Sequence, residues 1–212
     1  MHKLFIVTDI MSVSYPDVLA LYPLMPEERQ IRCDGYRYET DRRLSILSYS
    51  LLLYCLRSEY GAVKARLGYS TDGKPYLIDM PQIHFSLSHC NQGIALAISS
   101  EPVGVDIESF DRYDDKLIDF AMSADESALI RGSQNPDQAF IQLWTKKEAC
   151  VKYTGKGITD DLKDVLEMQK EINIHTIVKH SIGCAVSVCC KSEFANGFTP
   201  HYMSAETLCR NL

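Results

Sequence analysis

Several features are scarce in this sequence of 212 residues, and each scarcity excludes a class of protein. No apolar run approaches the roughly 20 residues that cross a membrane. Basic residues are in deficit, with 22 Lys and Arg against 28 Asp and Glu, whereas a dedicated nucleic-acid binder usually has the opposite bias. The remaining composition, 46% hydrophobic and 24% charged, excludes a disordered chain and a collagen-like repeat.

Several chemical motifs are missing as well. The sequence contains no GxxxxGK[ST], GxGxxG or GxSxG motif, which speaks against a Walker loop, a dinucleotide fold and a hydrolase elbow. Its eight cysteines include no CxxC pair and no zinc-finger spacing. Because the N-terminus also lacks a secretory pattern, we expect reduced thiols in a cytoplasmic protein with no membrane partner.

The charge is unevenly distributed along the chain. Residues 1–75 carry a net charge of +1 and residues 76–212 a net charge of -7. Nine acids crowd residues 101–130, and four lysines lie in residues 140–156. An acidic cluster beside a basic one suits a metal and phosphate site, although a solvated surface of uneven charge would look the same.

Hydrophobic periodicity predicts both strands and helices. Strands are predicted at 3–10, 81–89, 93–99, 103–108, 171–178 and 183–190, and helices at 41–60, 113–122, 124–132 and 137–153. The short connection between 93–99 and 103–108 suggests that these two strands form a hairpin-like pair. The fold class is therefore α/β or α+β, with a boundary near residue 100 that separates residues 1–100 from residues 101–212.

An acidic pair ends the predicted strand 103–108. Alternate residues of a strand project to the same face, so Asp106 and Glu108 should stand side by side while Val105 and Ile107 face the core. Adjacent carboxylates repel each other, and a Mg²⁺ ion would relieve that repulsion. An exposed strand end with two unrelated acids is the alternative.

The predicted helix 137–153 carries the segment Trp144-Thr145-Lys146-Lys147-Glu148-Ala149-Cys150-Val151-Lys152. Glu148 and Lys152 are four residues apart and share one helical face. They form either an ordinary surface ion pair, or a third acid next to a phosphate contact. Trp144 and Val151 can share another, buried stripe of the same helix.

Two further segments offer groups that suit a phosphate. In Phe85-Ser86-Leu87-Ser88-His89, the adjacent Ser88 and His89 point to opposite faces of a strand, so they fit phosphate donors better than a catalytic dyad. The turn segment Gly73-Lys74-Pro75 offers close backbone approach and a cation, and Gly155 is well placed as a helix C-cap.

Together and in this order, these segments resemble the 4′-phosphopantetheinyl transferase family. The likeness runs from about Pro26 to Gly157 and includes Gly73–Pro75, Phe85–His89, Gly104–Glu108 and Trp144–Lys152. The length resembles the larger type that activates surfactin synthetase, a monomer of two similar α/β subdomains related by a pseudo-twofold axis. The resemblance implies a nucleotide-side subdomain at 1–100 and a metal-binding, catalytic subdomain at 101–212.

The resemblance also implies a reaction and a site. Members transfer the phosphopantetheine arm of coenzyme A to a serine of an apo acyl or peptidyl carrier protein and release adenosine 3′,5′-bisphosphate. By this likeness Mg²⁺ is held by Asp106, Glu108 and Glu148, with Glu148 as general base and Lys152 on the pyrophosphate. Ser88, His89, Arg43, Gly73, Lys74 and Pro75 would bind the nucleotide side of coenzyme A, with Arg29, Arg32 and Arg37 as further candidates.

Two other functions stay open from the residues alone. One is a Mg²⁺-dependent hydrolase of a nucleotide pyrophosphate, and the other is a coenzyme A-binding or carrier-binding module without catalysis. The resemblance further suggests residues 109–135 as the region where the carrier protein docks.

Overall fold

The computed structural model describes residues 2–112, 115–157, 160–168, 171–191 and 199–212. The helices are α1 (Tyr15–Leu19), α2 (Glu27–Asp34), α3 (Glu39–Tyr60), α4 (Asp115–Ala121), α5 (Ala124–Arg131), α6 (Pro136–Thr154), α7 (Val165–Met168) and α8 (Ala205–Arg210). The strands are β1 (His2–Thr8), β2 (Leu67–Tyr69), β3 (Pro75–Leu77), β4 (His84–Cys90), β5 (Gly93–Ser99), β6 (Val103–Ser109), β7 (Asn173–Lys179), β8 (Cys184–Cys190) and β9 (Pro200–Ser204). The predicted mixed α/β class is confirmed.

Two sheets organise these elements. The first has the strand order β4-β5-β1-β9, with β9 parallel to β1 and the other pairs antiparallel. The second has the order β6-β8-β7 and is antiparallel throughout. A separate two-stranded ribbon joins β2 to β3. Among the described residues, no helix is sufficiently long and apolar to cross a membrane.

The two sheets lie face to face between two long helices. On β1, Phe5 and Val7 pack into the core that contains α3, whereas Leu4 and Ile6 pack against residues of the second sheet. The other face of the second sheet meets α6 through Ala185 and Cys189. The layers are therefore α3, first sheet, second sheet and α6, and the alternation of side chains along each strand buries both faces of each sheet.

The predicted pairing of strands 93–99 and 103–108 is wrong. Both edges of β5 are occupied, by β4 on one side and β1 on the other, and β6 opens the second sheet by pairing with β8. The turn Asn91-Gln92 joins β4 directly to β5 as the real hairpin. The short connection between β5 and β6 therefore links the first sheet to the second.

The C-terminal segment crosses back to the first sheet. Strand β9 pairs with β1, and the buried side chains of Ala205 and Leu208 on α8 enter the core around α3. The change of sheet after β5 falls near residue 100, where the sequence suggests a boundary. Residues 200–212, however, pack with the N-terminal half of the chain, so the first sheet is built from both ends of the sequence.

Candidate active site

A glycine sets how closely the catalytic candidates approach one another. A Cβ atom on Gly104 of β6 would lie 2.0 Å from the carbonyl oxygen of Ala149 and 2.5 Å from the backbone nitrogen of Tyr153. No side chain fits there, so the backbone of α6 rests directly on β6. This contact holds the acids of β6 and the polar face of α6 at one fixed separation.

The predicted acids and the predicted lysine meet in one cavity. Asp106 and Glu108 on β6 and Glu148 and Lys152 on α6 line a cavity of about 300 Å³ together with Ser88 and His89 of β4. Both β6 carboxylates are nearly inaccessible, with Asp106 2% and Glu108 8% exposed. Val105 and Ile107 are buried between the sheets, which confirms the predicted alternation along this strand.

The two oxygens of Asp106 differ in their surroundings. Oδ1 accepts hydrogen bonds from Lys152 Nζ at 2.6 Å and from Ser88 Oγ at 2.7 Å. Oδ2 is buried and has no hydrogen-bond partner among the described residues. An unsatisfied buried carboxylate oxygen is costly in free energy, and a divalent cation would satisfy it. Since three carboxylates face one ammonium group in this cavity, the residues fit a Mg²⁺ ion.

Serine hydroxyls join the neighbouring edges of the two sheets. Ser86 Oγ of β4 accepts a hydrogen bond from the backbone N–H of Val105 at 3.0 Å. Ser88 accepts from Lys152 Nζ at 2.8 Å and donates to Asp106. Its hydroxyl therefore positions a lysine and a carboxylate, as expected of a polar strand residue and unlike a nucleophile paired with His89.

A second cavity lies on the other side of β4. It has a volume of about 170 Å³, and its lining includes Arg29, Arg32, Tyr36, Ser48 and His89. The Nε atom of Arg29 and the hydroxyl of Ser48 are buried, and neither finds a hydrogen-bond partner in the portion of the chain that the structure describes. Two guanidinium groups next to these two donor groups are suited to binding a phosphate anion.

His89 lines both cavities. Its pKa is lowered, chiefly by partial desolvation of the ring at the cavity wall and secondly by the nearby ammonium of Lys152, while the residue as a whole stays exposed to solvent. A lowered pKa makes the neutral imidazole the prevailing form at neutral pH, so the ring is able both to donate and to accept a hydrogen bond at this junction.

The loop around Gly73 closes the cleft at the end of α6. Gly73 has a positive φ of 83°, which glycine adopts readily, and the residues Gly73, Lys74 and Pro75 line a cavity of about 240 Å³ with Lys152. Lys74 Nζ donates to the carbonyls of Val103 at 3.2 Å and Tyr153 at 3.0 Å. Burial lowers the pKa of this ammonium, and its two carbonyl contacts tie the loop to β6 and α6.

Arg43 lies apart from this cluster. Its side chain is 6% exposed, and its guanidinium donates to the carbonyl of Val13 at 2.6 Å and to Glu39 at 3.1 Å. We call the cavity around Asp106 and Glu148 the acidic cavity, and the one around Arg29 and Arg32 the arginine cavity. Among the described residues that line these two cavities, Arg43 is absent. Helical periodicity could have shown this, because the neighbouring Leu44 and Leu47 place that side of α3 in the core.

Two residues of the segment 144–152 hold α6 in place through contacts with neighbouring elements. Lys147 is fully buried and pairs with Glu126 of α5 at 2.8 Å, while it also donates to the carbonyl of Lys163 at 2.7 Å. Thr145 Oγ1 donates to the carbonyl of Ile141 and meets the hydroxyl of Ser187 on β8. Sequence reasoning did not separate these residues from the catalytic candidates, because a lysine in a helix ordinarily faces water. Gly155 caps α6 with a φ of 74°, as predicted.

Comparisons of the sequence with known proteins identify relatives of this chain. Residues 102–198 match the family model described as the 4'-phosphopantetheinyl transferase superfamily. The 4'-phosphopantetheinyl transferase psf-1 of Bacillus pumilus is 31% identical over 143 residues, which are 66% of this chain and 61% of that protein. The 4'-phosphopantetheinyl transferase Sfp of Bacillus subtilis strain 168 is 27% identical over 165 residues, covering 74% and 73%.

A third relative matches a shorter stretch. The 4'-phosphopantetheinyl transferase gsp of Aneurinibacillus migulanus is 36% identical over 88 residues, which are 41% of this chain and 36% of that protein. The chain thus matches less than two thirds of the length of two of these three relatives. Residues 102–198 therefore belong to the 4'-phosphopantetheinyl transferase superfamily, as their motifs predict, and the chain is similar to these transferases over a longer stretch.

Proposed function

We propose that this chain transfers the 4′-phosphopantetheine group of coenzyme A to a serine of an apo carrier protein in a Mg²⁺-dependent reaction. The observation that carries the proposal is the buried Asp106 with its unsatisfied Oδ2, beside Glu108, Glu148 and Lys152 in one cavity. The names of the relatives support the same reaction.

Glu148 is the general base of the proposed reaction. The carrier serine hydroxyl attacks the phosphorus that bears the pantetheine arm, and its proton passes to the Glu148 carboxylate, directly or through a water molecule. The bond to the second phosphate breaks, so adenosine 3′,5′-bisphosphate leaves with the electron pair. A serine hydroxyl is a weak nucleophile, and a positioned base on the rigid α6 supplies the activation that it needs.

Asp106, Glu108 and Glu148 are the residues that would hold Mg²⁺. When bound, the ion offsets the negative charge of the pyrophosphate and of the leaving group. Lys152 adds a second positive charge on the same face of α6 as Glu148. Its hydrogen bonds to Asp106 and Ser88 keep the ammonium at the cavity wall, where it meets the phosphates and stabilises the charge that grows as the bond breaks.

The nucleotide end of coenzyme A lies along the other side of β4. Arg29 and Arg32 are the cations that meet the 3′-phosphate, and His89 lies between the two cavities as a hydrogen-bond partner. The loop of Gly73, Lys74 and Pro75 borders the same cleft and contributes shape and backbone groups. Arg43 has a structural role, because its guanidinium connects α3 to the carbonyl of Val13.

The carrier protein docks on the surface formed by α4 and α5, within the region 109–135. Phe120 and Leu129 are large apolar residues on this surface, 53% and 61% exposed, and such residues are frequent in protein interfaces. The ion pair between Glu126 and Lys147 links α5 to the helix that carries Glu148. A carrier seated there would present its serine near the acidic cavity. In this proposal the transferase itself acts as a monomer.

Mass spectrometry of apo carrier proteins tests the proposal. The chain, coenzyme A and Mg²⁺ are incubated with apo acyl and peptidyl carriers, and we expect a mass gain of one phosphopantetheine on at least one carrier. Glu148→Gln should lower the rate by about 100-fold or more, since a general base contributes roughly 10²–10⁴-fold. Asp106→Asn should also lose activity, whereas the exposed Glu167→Gln on α7 is the matched control and should keep it.

Two outcomes would contradict the proposal. Full activity of both Glu148→Gln and Asp106→Asn would remove these residues from the reaction. Release of free phosphopantetheine in the absence of any carrier would identify a hydrolase of the pyrophosphate. Circular dichroism of each variant separates a loss of chemistry from a loss of fold.

A further inference from the structure

A group of three residues with potential metal ligands lies outside the acidic cavity, where the two sheets adjoin. His2 begins β1, Glu101 lies in the connection between the sheets, and Cys190 ends β8. Their ligand atoms, a ring nitrogen, a carboxylate oxygen and the thiol sulfur, all lie within 4.8 Å of one another. Residues 2, 101 and 190 are far apart in sequence, and the pairing of β1 with β5 and of β6 with β8 brings them together.

Ser99 organises two of these residues. It faces His2 across the β1–β5 ladder, and its hydroxyl lies 3.0 Å from His2 Nδ1 and accepts the backbone N–H of Glu101 at 3.0 Å. When Nδ1 carries the proton and donates to Ser99, Nε2 is left with a lone pair. Nε2 lies 3.7 Å from Glu101 Oε1. A metal-bound histidine usually has such a hydrogen bond on its other nitrogen, which fixes the tautomer and the ring.

The type of donor selects the metal. One imidazole nitrogen, one carboxylate and one thiolate form a set that suits Zn²⁺ and does not suit Mg²⁺, which prefers oxygen ligands. Zinc bonds of about 2.0–2.3 Å place tetrahedral ligand atoms about 3.3–3.8 Å apart, so small side-chain rotations close this cluster around an ion. Cys190 is buried, while His2 and Glu101 retain 28% and 27% side-chain exposure, which leaves an entry path and room for a water ligand.

We infer that His2, Glu101 and Cys190 form a Zn²⁺ site that joins the first sheet to the second, separate from the acidic cavity. Binding exchanges the thiol proton of Cys190 for the metal, and the proton is released to solvent. The site connects the first strand, the segment between the sheets and the end of β8. Its role is structural, because the acidic cavity is lined by other residues of β4, β6 and α6.

Titration of the whole, chelator-treated chain with Co²⁺ tests this inference, with excess Mg²⁺ present to occupy carboxylate sites. We expect one equivalent of Co²⁺ to produce the near-ultraviolet charge-transfer band of a cobalt–thiolate bond, and Zn²⁺ to displace it. Zn²⁺ should also raise the Tm, because a ligand that binds only the native state stabilises it. Absence of the band in the wild-type protein would overturn the inference.

Variants identify the ligands. Cys190→Ser should abolish the band, and Cys209→Ser is the matched control that should retain it. His2→Gln and Glu101→Gln should each weaken Co²⁺ binding by about 10-fold or more, and Ser99→Ala by about 10-fold through the histidine. If Cys190→Ser does not fold, the His2 and Glu101 variants decide the matter. Unchanged affinity in both would contradict the site.

An activity assay separates this site from the proposed transferase. His2→Gln should transfer phosphopantetheine in Mg²⁺ at the wild-type rate while its zinc-dependent rise in Tm is lost. A wild-type protein that binds zinc but transfers nothing would contradict the proposed function alone. A His2→Gln variant with normal metal binding and normal transfer would contradict the zinc site alone.

Discussion

Asp106 illustrates how one residue combines stability and chemistry. A carboxylate that is 2% exposed loses most of its hydration, and Lys152 and Ser88 replace that hydration at Oδ1 only. The other oxygen keeps its capacity for a ligand. Sequence spacing suggests a possible ion pair between Glu148 and Lys152, and the structure joins Lys152 to an acid 46 positions away along the chain.

The arginine cavity yields a prediction for a single side chain. Replacing Arg29 by alanine should raise the KM for coenzyme A by about 10-fold or more with little change in kcat, since a hydrogen bond to a charged group is worth roughly 1.5–3 kcal/mol. Steady-state kinetics with coenzyme A and with coenzyme A lacking the 3′-phosphate measure this. Arg37→Ala is the control: Arg37 was also a sequence candidate, but it is not among the described residues that line the arginine cavity, and its guanidinium lies over the ring of Tyr38. An equal effect of Arg29→Ala on both substrates would refute the phosphate contact.

At the scale of elements, the contact between α6 and β6 decides the geometry of the site. Six strands and four helices were predicted close to their observed positions, because period-two and period-3.6 patterns record which face is buried. The partners of these elements were not all predictable. The hairpin predicted from the short 100–102 connection failed because both edges of β5 were already occupied by β4 and β1.

The close approach at Gly104 predicts the effect of adding one methyl group. Gly104→Ala should lower the free energy of unfolding by about 1–3 kcal/mol, since overpacking costs that amount. It should also lower kcat, because the displaced α6 carries Glu148 and Lys152 away from Asp106. Urea denaturation and transfer kinetics measure the two effects.

Gly35→Ala is the matched control for this substitution. A Cβ atom at Gly35 would meet nothing closer than the carbonyl of Arg32 at 3.4 Å, so both quantities should stay near their wild-type values. A Gly104→Ala protein with normal stability and normal kcat would mean that α6 does not rest on β6 as described.

At the scale of the whole molecule, the first sheet is completed by the end of the chain. Strand β9 pairs with β1, and α8 fills the core beside α3. The half of the molecule that contains the arginine cavity therefore depends on residues near position 208 for its core. Because of this long-range closure, we expect the two halves of the chain to unfold as one cooperative unit.

Leu208 tests that closure. Its side chain is fully buried in the core of the first half, and Leu208→Ala should cost about 2–5 kcal/mol of stability. Thermal unfolding should show a single, earlier transition of the whole molecule. Arg210→Ala, which removes an exposed i,i+4 pair with Glu206, should stay within about 0.5 kcal/mol. Two separate transitions in Leu208→Ala would indicate that the halves unfold independently.

The sequence by itself determined the class of fold, the buried faces of the main strands and helices, and the group of Asp106, Glu108, Glu148 and Lys152, because these depend on local periodicity and on motif order. The tertiary structure alone decided which residues meet across the chain. It separated Arg43 from the cleft and brought Arg29 to it. It also paired the last strand with the first and placed His2, Glu101 and Cys190 together. Such contacts arise from the packing of whole sheets, and no local pattern of residues encodes them.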